Sequence, residues 1–134
     1  LRGGLTLEAA VLETMRRLSR EPEHDETTTA LDRALSLARS PHTPSPASVE
    51  SLGGGWVAEE ALAIALWCAL VAPDLEAALL LAINHDGDSD STGALTGNLL
   101  GAALGTAAIP VRWLAELELR ECIVRVADEL AAAG

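Results

Sequence analysis

An all-α fold is the class this sequence predicts, and three features predict it. Ala and Leu, both strong helix formers, dominate a chain that is 49% hydrophobic. Strand-favouring aromatics are nearly absent, with no Phe, no Tyr, and Trp only at Trp56, Trp67 and Trp113. No run sustains apolar/polar alternation, whereas apolar residues recur at spacings of three and four. At 134 residues, a single domain over 1–134 is expected, large enough to bury a core without disulfides.

About six helices follow from the pattern. Leu7, Ala10, Val11, Met15 and Leu18 share one helical face, which predicts a first helix from about Thr6 to Arg20, ending before Pro22. A second, capped by Thr27 or Thr28, carries Leu31, Ala34, Leu35 and Ala38 and stops near Ser40. Pro41, Pro44 and Pro46 among Ser and Thr make 41–50 a surface loop. Trp56 to Val71 is apolar nearly all round, so it reads as a buried helix, with Glu59 and Glu60 in its first turn suiting the helix dipole. Pro73 ends it and Asp74 caps a short helix, Leu75 to Ile83. A long helix from about Ser89 to Thr106, a break at Pro110 and an amphipathic helix from about Leu117 to Ala132 complete the chain.

Charge narrows the function. With 9 basic and 20 acidic residues the formal net charge is -11, and no basic stripe exists to neutralise a phosphate backbone, so nucleic acid is not an expected partner. An anionic ligand would need a local reversal of field, which a bound cation supplies. Cys68 and Cys122 belong to no CxxC pair or zinc-type spacing and read as free thiols. The uncharged stretch from Ser91 to Val111 holds four glycines, Thr96, Asn98, Thr106 and Pro110, which suits a buried helix better than a membrane span. With no basic segment leading into an apolar run, a cytoplasmic setting is expected.

The chemistry concentrates in Asn84-His85-Asp86-Gly87-Asp88-Ser89-Asp90-Ser91-Thr92. Three carboxylates in one turn repel each other unless solvated or bound to a cation. Asp88, Asp90 and Ser91 offer two carboxylates and a hydroxyl within four residues, the oxygen set that hard cations such as Mg²⁺ select. Helix capping by Asp or Ser explains the same residues more simply when they stand alone. The turn is not an EF-hand, because Leu99 stands where that loop needs Glu. Gly93, Gly97, Gly101 and Gly105 then recur every four residues on one helix face. Each interior glycine costs about 1 kcal/mol relative to alanine, so the stripe predicts a neighbouring helix packed very close.

These letters resemble a known family. Gly87 to Thr92, followed by Gly93-Ala94-Leu95-Thr96-Gly97-Asn98-Leu99-Leu100-Gly101-Ala102, is similar to the signature near the end of ADP-ribosylglycohydrolases. Gly53-Gly54-Gly55-Trp56-Val57-Ala58-Glu59-Glu60-Ala61-Leu62 resembles the glycine-rich lead into that family's preceding helix, and Ile109-Pro110 with Trp113-Leu114 resembles its ending. The resemblance runs from about Leu31 to Leu130 and is strongest from Leu52 to Gly105.

It implies a compact orthogonal helical bundle, of which this chain is the C-terminal part, and a hydrolase that cleaves ADP-ribose from a modified side chain or a related conjugate. It implies a pair of Mg²⁺ ions, with Mn²⁺ as an alternative, held in part by Asp88, Asp90 and Ser91. Asp88 and Asp90 would serve catalysis by anchoring metal rather than as nucleophiles. Gly54, Gly55 and Trp56 would line the ADP-ribose pocket, with burial in the core the alternative for Trp56, and His85 could touch substrate or, more simply, serve as a hydrogen-bond partner behind the site. The Gly-Asp-Ser-Asp-Ser form looks like members acting on arginine-linked ADP-ribose. The family's other ligands sit in a Thr/Ser-Asp-Asp motif that this chain lacks, and Asp25-Glu26-Thr27 does not replace it. A missing N-terminal half, as partner or as preceding sequence, is therefore expected, and the first residue, Leu1, favours a fragment. The competing expectation is an inactive ADP-ribose-binding or structural helical module.

Overall fold

The computed structural model describes residues 6–41 and 43–133. Among them are eight α-helices and no strand: α1 (Leu7–Leu18), α2 (Asp25–Ala38), α3 (Pro46–Glu50), α4 (Ala58–Val71), α5 (Leu75–Ile83), α6 (Ser89–Leu104), α7 (Val111–Glu116) and α8 (Arg120–Ala133). A 3-10 turn, Thr106–Ala108, separates α6 from α7. The all-α class is as the sequence predicts.

The hydrophobic helix α4 is the centre. Nothing in it favours one face, and accordingly Ala61, Ala63, Ile64, Ala65, Leu66, Trp67, Cys68 and Ala69 are all buried. α2 packs Leu31, Ala34 and Leu35 against it from one side, while α5 and α6 pack from the other. Alanines at the crossings let the backbones approach, and Trp67, Ile64 and Leu66 fill the volume left over.

Local starts follow the capping rules in part. Thr6 accepts from Ala9 N at 3.2 Å, and Asp74 from Ala77 N at 2.8 Å. α2 begins at Asp25, two residues before the expected caps, because Asp25 and Glu26 in its first turn complement the dipole without a side-chain cap. Thr28 instead meets His24 Nδ1 at 3.0 Å. The expected loop over 41–50 shortens, because Pro46 occupies the first position of a single helical turn capped by Ser45. α7 was not anticipated.

The glycine stripe is close-packed only at its start. A Cβ at Gly93 would lie 2.7 Å from Ile83 Cγ2, and one at Gly97 3.7 Å from Leu79 Cδ2. Nothing lies within 4 Å of the corresponding point at Gly101 or Gly105. The stripe is therefore tight against α5 beside the acidic turn and faces open space at Gly101 and Gly105. Gly105 ends α6 with φ +75, a conformation that favours glycine, while nothing in the structure explains Gly101.

α7 and α8 bury no residue, and Ile123, Val124, Val126 and Leu130 of α8 are exposed. Arg112 ties α7 to α5 through an ion pair with Glu76 and lies over the Trp113 ring. Among the described residues no helix is long and apolar enough to cross a membrane.

Candidate functional site

Four segments meet at the N-terminal end of α6. α5 ends at Ile83, the turn 84–87 reverses the chain, α6 starts with Asp88 as its N-cap, and the loop 53–57 before α4 lies against the turn. Sequence reasoning placed Gly54, Gly55, Trp56, His85, Asp88, Asp90 and Ser91 in one site, and the fold brings these two stretches together.

The join is backbone to backbone. Asp88 N–H donates to Gly54 O at 2.8 Å. A Cβ at Gly87 would stand 2.0 Å from Gly54 O, so the approach admits no side chain there. Gly55, buried and at φ +74, packs on Thr92 and on the Asp88 backbone, where a Cβ would come within 3.0 Å of Thr92 Cγ2.

Asp88 stands at the capping position, yet its carboxylate makes no cap bond; Ser91 N–H donates instead to Asp90 Oδ1 at 3.0 Å. The neighbouring Asp90 side chain, then Ser91, holds the Asp88 carboxyl below the usual carboxylate range. The acidic turn thus opens a helix that is close-packed just behind it, at Gly93 against Ile83. Among the described residues no group of three or more His, Cys, Asp and Glu side chains is placed to hold a metal. Asp88, Asp90 and Ser91 have the right donor chemistry for Mg²⁺ or Mn²⁺ and supply three oxygens, fewer than a full coordination shell.

His85 is spent within the turn. Gly87 N–H donates to His85 Nδ1 at 3.0 Å, which makes that nitrogen the acceptor and places the proton on Nε2. Nε2 then donates to Thr92 Oγ1 at 3.1 Å. Thr92, wholly buried, donates in turn to Ala82 O at 2.7 Å. This relay runs from α5 through the turn to α6. Both ring nitrogens of His85 are thus engaged within the turn.

Trp56 is 72% exposed, so it is not a core residue. Its ring leans over Gly54, where a Cβ would meet Trp56 Cδ1 at 2.6 Å. The reach of Glu60 to the Gly54 and Gly55 amides, the Thr92 relay and the approach of Gly87 to Gly54 were not read from sequence. For Glu60 a signal existed, since a carboxylate following a glycine triplet is a ready acceptor for amides that no helix or strand engages.

An all-helical protein whose oxygen-rich helix start rests on a glycine loop is the class that fold and site define. The chain belongs to the ADP-ribosylglycohydrolase family, whose family model matches residues 1–134. It is 37% identical over 71 residues to an ADP-ribosylarginine hydrolase of Serratia proteamaculans, covering 53% of this chain and 19% of that protein. It is 40% identical over 67 residues to the ADP-ribosyl-[dinitrogen reductase] glycohydrolase of Rhodospirillum rubrum, covering 48% of this chain and 23% of that protein. An uncharacterized protein of Archaeoglobus fulgidus is 35% identical over 83 residues, 62% of this chain and 27% of its own length. The chain thus spans about a fifth to a quarter of the relatives it matches. No solved structure matches it significantly.

Proposed function

We propose that this chain supplies half of the divalent-metal site of a hydrolase that releases ADP-ribose from a modified protein side chain, with arginine the favoured acceptor. The observation that carries the reading is the placement of Asp88, Asp90 and Ser91 together at the start of α6, anchored to Gly54 through the Asp88 amide. The names of the Serratia and Rhodospirillum relatives support ADP-ribosylated protein as substrate, and the former supports arginine.

Asp88 and Asp90 would hold the cation through their carboxylate oxygens. Ser91 adds a neutral oxygen. When bound, Mg²⁺ or Mn²⁺ supplies positive charge that orders hydroxyl groups and makes a water more acidic. Trp56 offers a flat apolar face beside Gly54 for a base or ribose. The polar backbone groups of Gly54 are engaged internally, so the loop contributes shape rather than hydrogen bonds. A second stretch of polypeptide bearing a Thr/Ser-Asp-Asp motif completes the oxygen set. Two cysteines without a disulfide fit a cytoplasmic setting.

Mn²⁺ titration of the chain joined to such a stretch, followed by electron paramagnetic resonance, tests the ligand assignment. Binding should be lost in an Asp88→Ala, Asp90→Ala double variant; equal affinity in parent and variant would refute it.

A further inference from the structure

The glycine triplet Gly53–Gly54–Gly55 invites assignment as a ligand-binding loop, but its geometry serves a residue of the chain itself. Glu60, partly buried in the first turn of α4, turns back over the loop. A single carboxylate oxygen, Oε2, accepts both Gly54 N–H at 3.0 Å and Gly55 N–H at 3.1 Å. A Cβ on Gly53, which has φ +131, would lie 2.4 Å from the Glu60 carboxyl carbon, so the missing side chain is what admits Glu60. Two consecutive amides and one cleared surface form a socket for one carboxylate.

The other edge of the socket faces the candidate metal turn. Gly54, whose N–H is held by Glu60, presents its carbonyl to Asp88 N–H at 2.8 Å. Gly55, held likewise, packs on Thr92 and Asp88. We infer that Glu60 is a positioning residue: it fixes the Gly54 peptide, and through that peptide it fixes where Asp88 presents its carboxylate. Charge-assisted hydrogen bonds from backbone amides are the stronger kind, which suits a loop with no helix or strand of its own. The inference deepens the metal reading of Asp88 and rests on it for function, while the mechanical link from Glu60 to Asp88 stands on the contacts alone. It also removes Gly54 and Gly55 N–H from the groups available to an anionic ligand.

Residue-resolved amide hydrogen exchange on the 134-residue chain tests the link without any metal. Glu60→Ala removes the acceptor, Glu60→Asp shortens it by a methylene and is the gentler change if Glu60→Ala fails to fold, and Glu60→Gln keeps an acceptor oxygen without the charge. In Glu60→Ala and Glu60→Asp the amides of Gly54, Gly55 and Asp88 should exchange about tenfold faster or more, while those of Ile64 and Ala65 keep parental protection, since openings of this kind are local. Glu60→Gln should restore most of the protection, and Glu59→Gln, which removes a neighbouring charge outside the socket, should match the parent. Parental exchange at Asp88 in Glu60→Asp, with Gly54 and Gly55 accelerated, would overturn the inference. Mn²⁺ affinity, read separately on the chain joined to a segment carrying the Thr/Ser-Asp-Asp motif, should fall with the Asp88 protection in the same variants. A parent that ignores Mn²⁺ would contradict the metal reading alone, because the exchange result decides the link from Glu60 to Asp88 independently.

Discussion

The amide of Asp88 donates to the carbonyl of Gly54 at 2.8 Å, joining two stretches 34 positions apart in sequence. That bond sets the acidic turn against the loop before α4. Gly87 permits it, because any Cβ there would fall 2.0 Å from the same carbonyl. Gly87→Ala should therefore push the two backbones apart, at a cost of about 1 to 3 kcal/mol for overpacking, and should speed exchange of the Asp88 amide. Thermal unfolding with amide exchange checks both, and a parental midpoint with a protected Asp88 amide would show the approach to be looser than described.

Gly93 and Gly101 share a helix face but should respond in opposite directions to the same substitution. Gly93→Ala drives a methyl to 2.7 Å from Ile83 Cγ2 and should destabilise the fold. Gly101→Ala enters open space and should stabilise it by about 0.5 to 1 kcal/mol, through helix propensity and reduced freedom of the unfolded chain. Denaturant midpoints moving in the same direction would contradict the difference in packing between Gly93 and Gly101.

Thr92 is the buried member of the relay that supports His85. Thr92→Val keeps the shape but removes the hydroxyl, leaving His85 Nε2 and Ala82 O short of a partner, and should cost about 1 to 3 kcal/mol. Thr92→Ser, which keeps the hydroxyl, should lose less. Equal losses in the two variants would mean that the methyl packing, not the relay, holds the turn.

Cys68 gives a pH signature. Burial pushes its thiol from an ordinary value of 9.0 up to about 12, whereas in the unfolded chain it ionises at the ordinary value. The folded state is then the poorer acid, so stability should decline as pH rises from about 9 towards 12. The chain has no Tyr and no Lys to obscure that window. Chemical denaturation across it should show the slope in the parent and not in Cys68→Ala, and a slope shared by both would assign it elsewhere. In native protein, exposed Cys122 should alkylate readily and Cys68 only on unfolding.

The helices were legible because their apolar spacing is local, and α4 because a run apolar all round has to be buried. The acidic turn was legible because its residue types alone restrict the chemistry. What lay beyond the sequence is non-local. That Glu60 reaches back to Gly54 and Gly55, that Gly87 meets Gly54, and that His85 is occupied by Gly87 and Thr92 depend on how turns fold over one another. The stripe of glycines misled for the same reason: spacing puts them near one face, but only the tertiary packing decides that Gly93 meets Ile83 and Gly101 meets nothing.

The most direct test of the central claim is release of ADP-ribose from an arginine-modified peptide, measured for the chain alone and for the chain joined to a segment carrying the Thr/Ser-Asp-Asp motif. The chain alone should release none, because three oxygens from one helix start cannot position both cation and water. The joined protein should release ADP-ribose only with Mg²⁺ or Mn²⁺, and Asp90→Asn should remove most of that activity. Release by the 134-residue chain alone, or metal-independent release by the joined protein, would contradict the half-site assignment, and tight ADP-ribose binding without release would favour a binding module instead.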